Sequence, residues 1–182
     1  MKDFIGRYWL WCVAAVVAVA VLMLGVMIGT RGNVDASDPD VDAADPITQD
    51  VAVAAASTVA AVNSYEPAVD DSPADATKRV ADRVSGKYKK LAESDQPAPL
   101  PDQWDVWARS NDRVHAVAQA DSDYQPPAED ATEAVVPLEL EIFVWHADGD
   151  KTPLSKADVE ATMVREAGIW KLADLEYVRT RQ

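Results

Sequence analysis

The side chains best suited by type to move a proton in this chain are Tyr88, Asp105, His115 and His146. General acid–base chemistry needs such a group in a closed pocket, where its surroundings shift its pKa. His115 falls opposite Val114 and Ala116 in an alternating segment, so it is expected on an exposed sheet face. His146 stands at a strand end beside a turn and is expected to face solvent. No Ser/His/Asp pattern, glycine-rich phosphate loop or metal-ligand spacing accompanies them, and the chain has seven Gly in all. One Cys excludes an internal disulfide framework, and with two His it falls short of the four Cys/His ligands of a structural zinc site. Asp38, Asp40 and Asp42 alternate like the start of a calcium loop, which wants glycine at its sixth position and glutamate at its twelfth. The chain has Ala43 and Gln49 there. No catalytic, cofactor-binding or metal-binding residue is expected, and the chain does not read as an enzyme.

The elements around these residues are more informative. In 182 residues there are 17 Lys+Arg and 31 Asp+Glu, a net charge of −14. That balance argues against nucleic acid as a partner, because neutralising phosphates needs clustered cations. From Tyr8 to Gly29 the sequence carries 22 residues without a charge. At about 1.5 Å per residue this helix would match a hydrocarbon core of roughly 30 Å. Tyr8, Trp9 and Trp11 cluster at one end of it, as aromatic rings do at a membrane interface. A cleaved signal peptide would have a shorter apolar run, and the candidate triplet Val34-Asp35-Ala36 lies too far beyond it. Cys12 lies inside the run rather than after it, against a lipoprotein. Lys2 and Arg7 on the near side outweigh Arg31 on the far side, so the N-terminus is expected to be cytoplasmic and the rest exported.

The domain plan is a cytoplasmic N-terminus over 1–7, a transmembrane helix over 8–29, an acidic flexible tether over 30–46 and an exported domain over 47–182. From Gly32 to Asp75 there are ten acidic residues and no basic one, the mark of a solvated spacer at its start. Val51, Ala55, Val59 and Val62 then form a helical stripe, ended by Glu66-Pro67. Ser72 as cap, Pro73 at the first helical position and Asp75 three residues after the cap mark a second helix. Val80, Val84, Tyr88 and Leu91 continue it in a second stripe, with a bend or break expected at Ser85-Gly86. After Pro97, Pro99 and Pro101 the period becomes two. Val114 to Ala120 and Val136 to Val144 alternate as strands, Asp148-Gly149 marks a turn, and Val159 to Met163 gives a third strand. Ala167-Gly168 turns the chain into a last strand at Ile169–Leu172. The fold class is α+β, with two to three helices on one face of a curved antiparallel sheet.

The membrane segment, the run Asn63-Ser64-Tyr65-Glu66-Pro67 and the step Val84-Ser85-Gly86-Lys87-Tyr88 together resemble the actinobacterial Mce-associated membrane proteins. The closing Glu166-Ala167-Gly168-Ile169-Trp170-Lys171-Leu172 is similar to the final hairpin of the wider nuclear-transport-factor-like superfamily, whose domains are cone-shaped. The same cone on the same anchor is found in scaffold subunits of type IV secretion and conjugation. The resemblance covers roughly residues 47 to 178. It implies a non-catalytic accessory of an envelope complex: a lipid importer first, a conjugation channel second. A module holding an apolar ligand in its cone is the further alternative.

Two groups of residues stand out as contacts. Arg79, Arg83, Lys87 and Lys90 would share one face of the second helix, beside the Val80/Val84/Tyr88/Leu91 stripe. They would form the solvated face of an amphipathic helix, or else contact membrane lipid headgroups or the acidic tether of a neighbouring protein subunit. Trp104 and Trp107, three apart in a body rich in Ala, would serve as core filling, as an aromatic pocket or as a docking patch.

Overall fold

The computed structural model describes residues 50–96 and 98–181. The expected membrane segment, its aromatic residues Tyr8, Trp9 and Trp11, and the acidic tether lie outside the described residues. Among the described residues no helix is long and apolar enough to cross a membrane.

Helix α1 spans Val51–Val62. Asp50 caps it, its carboxylate accepting from the Ala52 and Val53 amides at 2.9 and 3.2 Å. The expected stripe is buried, and Ala54 and Thr58 widen it. Small side chains let this helix lie close against the sheet. At its far end the Asn63 amide donates to the Val59 carbonyl and the Ser64 hydroxyl to the Ala60 carbonyl, so the last turn is tied off.

Helix α2 spans Ala74–Arg79, one residue later than the Pro73 start the sequence predicts. Asp75 makes its half of the expected box, accepting from the Ser72 and Asp71 amides at 3.0 and 2.9 Å. The second stripe does not form one helix. A 3-10 turn occupies Ala81–Arg83, Val84 is extended, and helix α3 runs over Gly86–Ala92. The physical reason is twofold. Val84 makes a parallel bridge with Leu172, and Gly86 takes a φ of +49° against Ala173, whose oxygen would lie 3.1 Å from an added Cβ. Arg79, Arg83, Lys87 and Lys90 therefore belong to three elements and share no helical face.

Helix α4, Trp104–Ser110, ends on Asn111 in the left-handed region at φ 56°. Strands β1 (Arg113–Ala120), β2 (Glu133–Trp145), β3 (Lys151–Glu166) and β4 (Ile169–Arg181) form one antiparallel sheet in the order 1-2-3-4. The class is α+β, a four-stranded antiparallel sheet with a few helices. β3 and β4 run well beyond the segments read from alternation. Register shifts at Ile142/Phe143, Asp158/Val159 and Thr162/Met163 interrupt the period of two, which hid those lengths. Both turns appear as read. Ala167 and Gly168 have φ of 51° and 86°, the doubly positive pattern of a tight hairpin, and Gly149 has 95°.

The main core lies between α1 and the inner sheet face. Val59, Val136, Leu140, Val159, Met163 and Leu172 are all fully buried there. Burial of each large aliphatic side chain contributes about 1.5–3 kcal/mol. A smaller cluster of Trp107, Val114 and Val144 lies at the far end of the sheet.

Candidate functional site

Three surfaces carry the side chains that could act on something else: the two edges of the sheet and its uncovered face. The edge of β1 is closed by the end of α1. Tyr65 and Val114 exchange two backbone hydrogen bonds at 3.0 Å, and the Ala116 amide donates to the Ser64 hydroxyl at 2.9 Å. Tyr65 stacks on Trp104 at 5.5 Å, and burial pushes the pKa of its hydroxyl up. Trp104 and Trp107 are 7% and 8% exposed. They fill space between α4 and this edge and are not available as a docking patch, so that expectation is corrected. In an Ala-rich helical layer they supply the volume that small side chains cannot.

Beyond them, a polar relay caps the small cluster. Asp112 is buried; its Oδ2 lies 3.1 Å from His146 Nδ1, and His146 Nε2 is 2.9 Å from the Thr152 hydroxyl. His146 is thus half-buried between two partners rather than turned to solvent as expected. The sequence could not show this, since Asp112 and His146 meet only because the Arg113↔Trp145 register brings their neighbours together. The order carboxylate, imidazole, hydroxyl is that of an acyl-transfer relay, but such chemistry also needs donors aimed at an oxyanion. Three amides of the adjoining turn are already committed: His146 donates to the Asp150 carbonyl, Gly149 to the His146 carbonyl and Asp150 to the Asp148 carboxylate. The relay ties the starts of β1 and β3 to the end of β2.

The uncovered face carries an aromatic cluster at the same end. His115 lies where the alternation predicts, with ring centres 5.3 Å from Phe143 and 6.0 Å from Trp145. Lys151 Nζ is 4.6 Å from the Trp145 ring centre and 5.0 Å from that of Phe143, within cation–π range. Trp145 is 42% exposed, and Leu154 beside the cluster is exposed as well. An open groove of about 500 Å³ runs past Phe143, Lys151, Pro153 and Leu154. Trp145 follows directly on the strand read over Val136 to Val144. The available signal was a Phe and a Trp both on the polar side of an alternating strand.

The edge of β4 is closed differently. The Ser85 amide donates to the Leu172 carbonyl at 2.8 Å, and the Ser85 hydroxyl donates to Glu166. That bond, with Lys171 next to it, holds the Glu166 carboxyl below its usual pKa. Lys87 pairs with Asp174 at 2.9 Å and lowers the Asp174 pKa by the same means. Arg79 is spent elsewhere, on Asp70 and the Ser64 carbonyl. Lys89 and Lys90 are exposed and Arg83 is half-exposed. Tyr88 leans into the core between these cations, its pKa pushed up to about 12 by burial first and then by Tyr177 and Asp174. Of the four cations expected to act together, Arg83, Lys87 and Lys90 remain on this edge and Arg79 does not.

Among the described residues there is no group of three or more His, Cys, Asp and Glu able to hold a metal ion. Comparison of the chain with family models, with curated proteins and with solved structures finds no significant match.

Proposed function

We propose that this chain is a non-catalytic, membrane-anchored accessory or scaffold subunit of an envelope complex. Its uncharged run over 8–29 would hold it in the membrane, with the N-terminus cytoplasmic and the α+β body exported. The observation that carries this reading is how the body is arranged. Its interior is filled by α1 and the inner sheet face, while its aromatic cluster lies outside, on the face the helices leave uncovered. A filled interior weighs against an apolar ligand held inside a cone. An exposed Trp suits a protein contact, since Trp is among the residues that anchor interfaces.

The two segments behind the Mce-associated resemblance gain a physical meaning that supports it. Asn63–Pro67 closes the β1 edge and Val84–Tyr88 closes the β4 edge, so both are joints between the helical layer and the sheet. A Mce-type lipid importer is therefore the first assignment, and a type IV secretion or conjugation scaffold the second. Capture of the full chain from detergent-solubilised membranes, with identification of what accompanies it, tests this. Lipid-importer subunits are expected, and Trp145→Ala should lose them without changing the unfolding midpoint. Channel subunits of a conjugation system would favour the second assignment. Extraction of the chain from membranes by alkaline carbonate would contradict the anchor.

A further inference from the structure

The β4 edge presents a run of charge that the fold does not consume. From Arg83 to Leu91 there are four cations and no acid. Lys87 makes a surface pair with Asp174 in which both side chains are more than half exposed, a pair of small worth. The side chains of Arg83 and Lys90 make no hydrogen bond or ion pair among the described residues, and Leu91, next in sequence, is 43% exposed. Acids do flank the run: Asp82, Glu93 and Asp95 along the chain, and Asp174 and Glu166 across from it. Glu166 is engaged by Ser85 and Lys171, so the outward charge stays positive in a body that is otherwise acidic.

Position adds a second observation. The run rests on the β3–β4 hairpin, through Ser85 on Glu166 and Leu172. Asp50 and Val51, where the described chain begins, line a groove with Arg165 and Trp170 of the same hairpin. The cationic edge and the point where the chain enters the body are thus at the same end, the end joined in sequence to the uncharged run over 8–29.

From this we infer that Arg83, Lys87, Lys89 and Lys90, with Leu91 as an apolar shoulder, form a docking surface for the anionic phosphate headgroups of the bilayer. The inference rests on the anchored reading given above and adds which end of the body meets the lipid. A flat anionic surface attracts this end and repels the rest of a chain of net charge −14, so the contact orients the body. The aromatic cluster and the Asp112–His146 end are then turned away from the bilayer, toward a partner.

The test is lysine acylation, read by mass spectrometry, on the full chain reconstituted into vesicles of neutral phosphatidylcholine or of the same lipid with anionic phosphatidylglycerol. Flotation of the chain with neutral vesicles checks the anchor separately. In anionic vesicles Lys87, Lys89 and Lys90 are expected to react about fivefold more slowly than in neutral ones, by the attraction each cation gains near an anionic surface. Lys151 and Lys156 should not change. The protection should vanish near 1 M salt, where the Debye length is about 3 Å. Equal reactivity in both vesicle types, with the chain floating in both, overturns the lipid contact and leaves the anchor standing. Equal protection in both types assigns the cations to a protein segment, such as the acidic stretch before Pro46, and also overturns it. A chain that fails to float overturns the anchor and this inference together.

Discussion

The helical layer covers both edge strands of the sheet, but by different means. On β1 the cover is backbone pairing and aromatic packing: Tyr65 bridges Val114, and Trp104 and Trp107 lie buried behind it. On β4 it is one backbone bond, a hydroxyl on a carboxylate and a solvent-exposed ion pair, followed by cations facing outward. An unpaired strand edge invites association, so each edge needs some cover. The dry edge gains stability from burial, which ions do not screen as they screen an exposed charge pair. The charged edge rests on fewer and more exposed contacts, and on the proposed reading its cations remain for a contact outside the chain. The difference teaches that, on the proposed reading, stability and contact fall to opposite edges of one small sheet.

The strongest way to break this comparison is at the dry edge. Trp107→Ala should cost about 3–5 kcal/mol of unfolding free energy, because it removes a buried ring from a cluster too small to close around the gap. Urea titration followed by circular dichroism would read it. Next comes the joint of the charged edge. Gly86→Ala puts a side chain at φ +49° and against the Ala173 carbonyl, for an expected loss of about 1–3 kcal/mol by the same titration. A comparable loss, about 1–3 kcal/mol, is expected for Asp112→Ala, which leaves the inner nitrogen of His146 without its acceptor. If that variant instead matched the wild type in stability, the relay would have no part in holding the three strands.

A pH titration sharpens the contrast from the other side. Tyr88 has its pKa raised to about 12 in the folded chain from an ordinary value of 10.0. The folded state therefore holds this proton more tightly than the unfolded one. The stability it contributes is complete below pH 10 and is lost as pH rises from 10 through 12. Urea midpoints across that window, with tyrosinate absorbance as the internal reading, should show this fall, and Tyr88→Phe should flatten it in part. Tyr65 and Tyr177, also raised by burial, would retain the remainder.

Much of this arrangement is legible in the sequence where one periodicity runs undisturbed. Helix α1, strand β2 and the Ala167-Gly168 turn follow directly from spacing and turn chemistry. The Val80/Val84/Tyr88/Leu91 stripe misleads because its helical spacing is coincidental. Val84 is buried by pairing with Leu172 rather than by a helical face. Ser85-Gly86 carried the right signal, a break, and its consequence is that the basic residues divide among elements. The Asp112–His146–Thr152 relay was out of reach, since 34 residues separate the first two and only the sheet register joins them. Helix α4 lay hidden behind prolines, its signal reduced to the spacing of Trp104 and Trp107.

The smallest stability effect is also the most telling. Arg83, Lys87, Lys89 and Lys90 changed together to Gln should leave stability nearly unchanged, each within about 0.5 kcal/mol of zero in either direction, since none is buried or held in a buried pair. The urea midpoint of this quadruple variant, measured beside wild type and Trp107→Ala, tests the division of tasks most directly. A midpoint close to wild type, with Trp107→Ala far below both, is the predicted result. A fall as large as that of Trp107→Ala would mean that the charged edge holds the fold together, and would contradict the account.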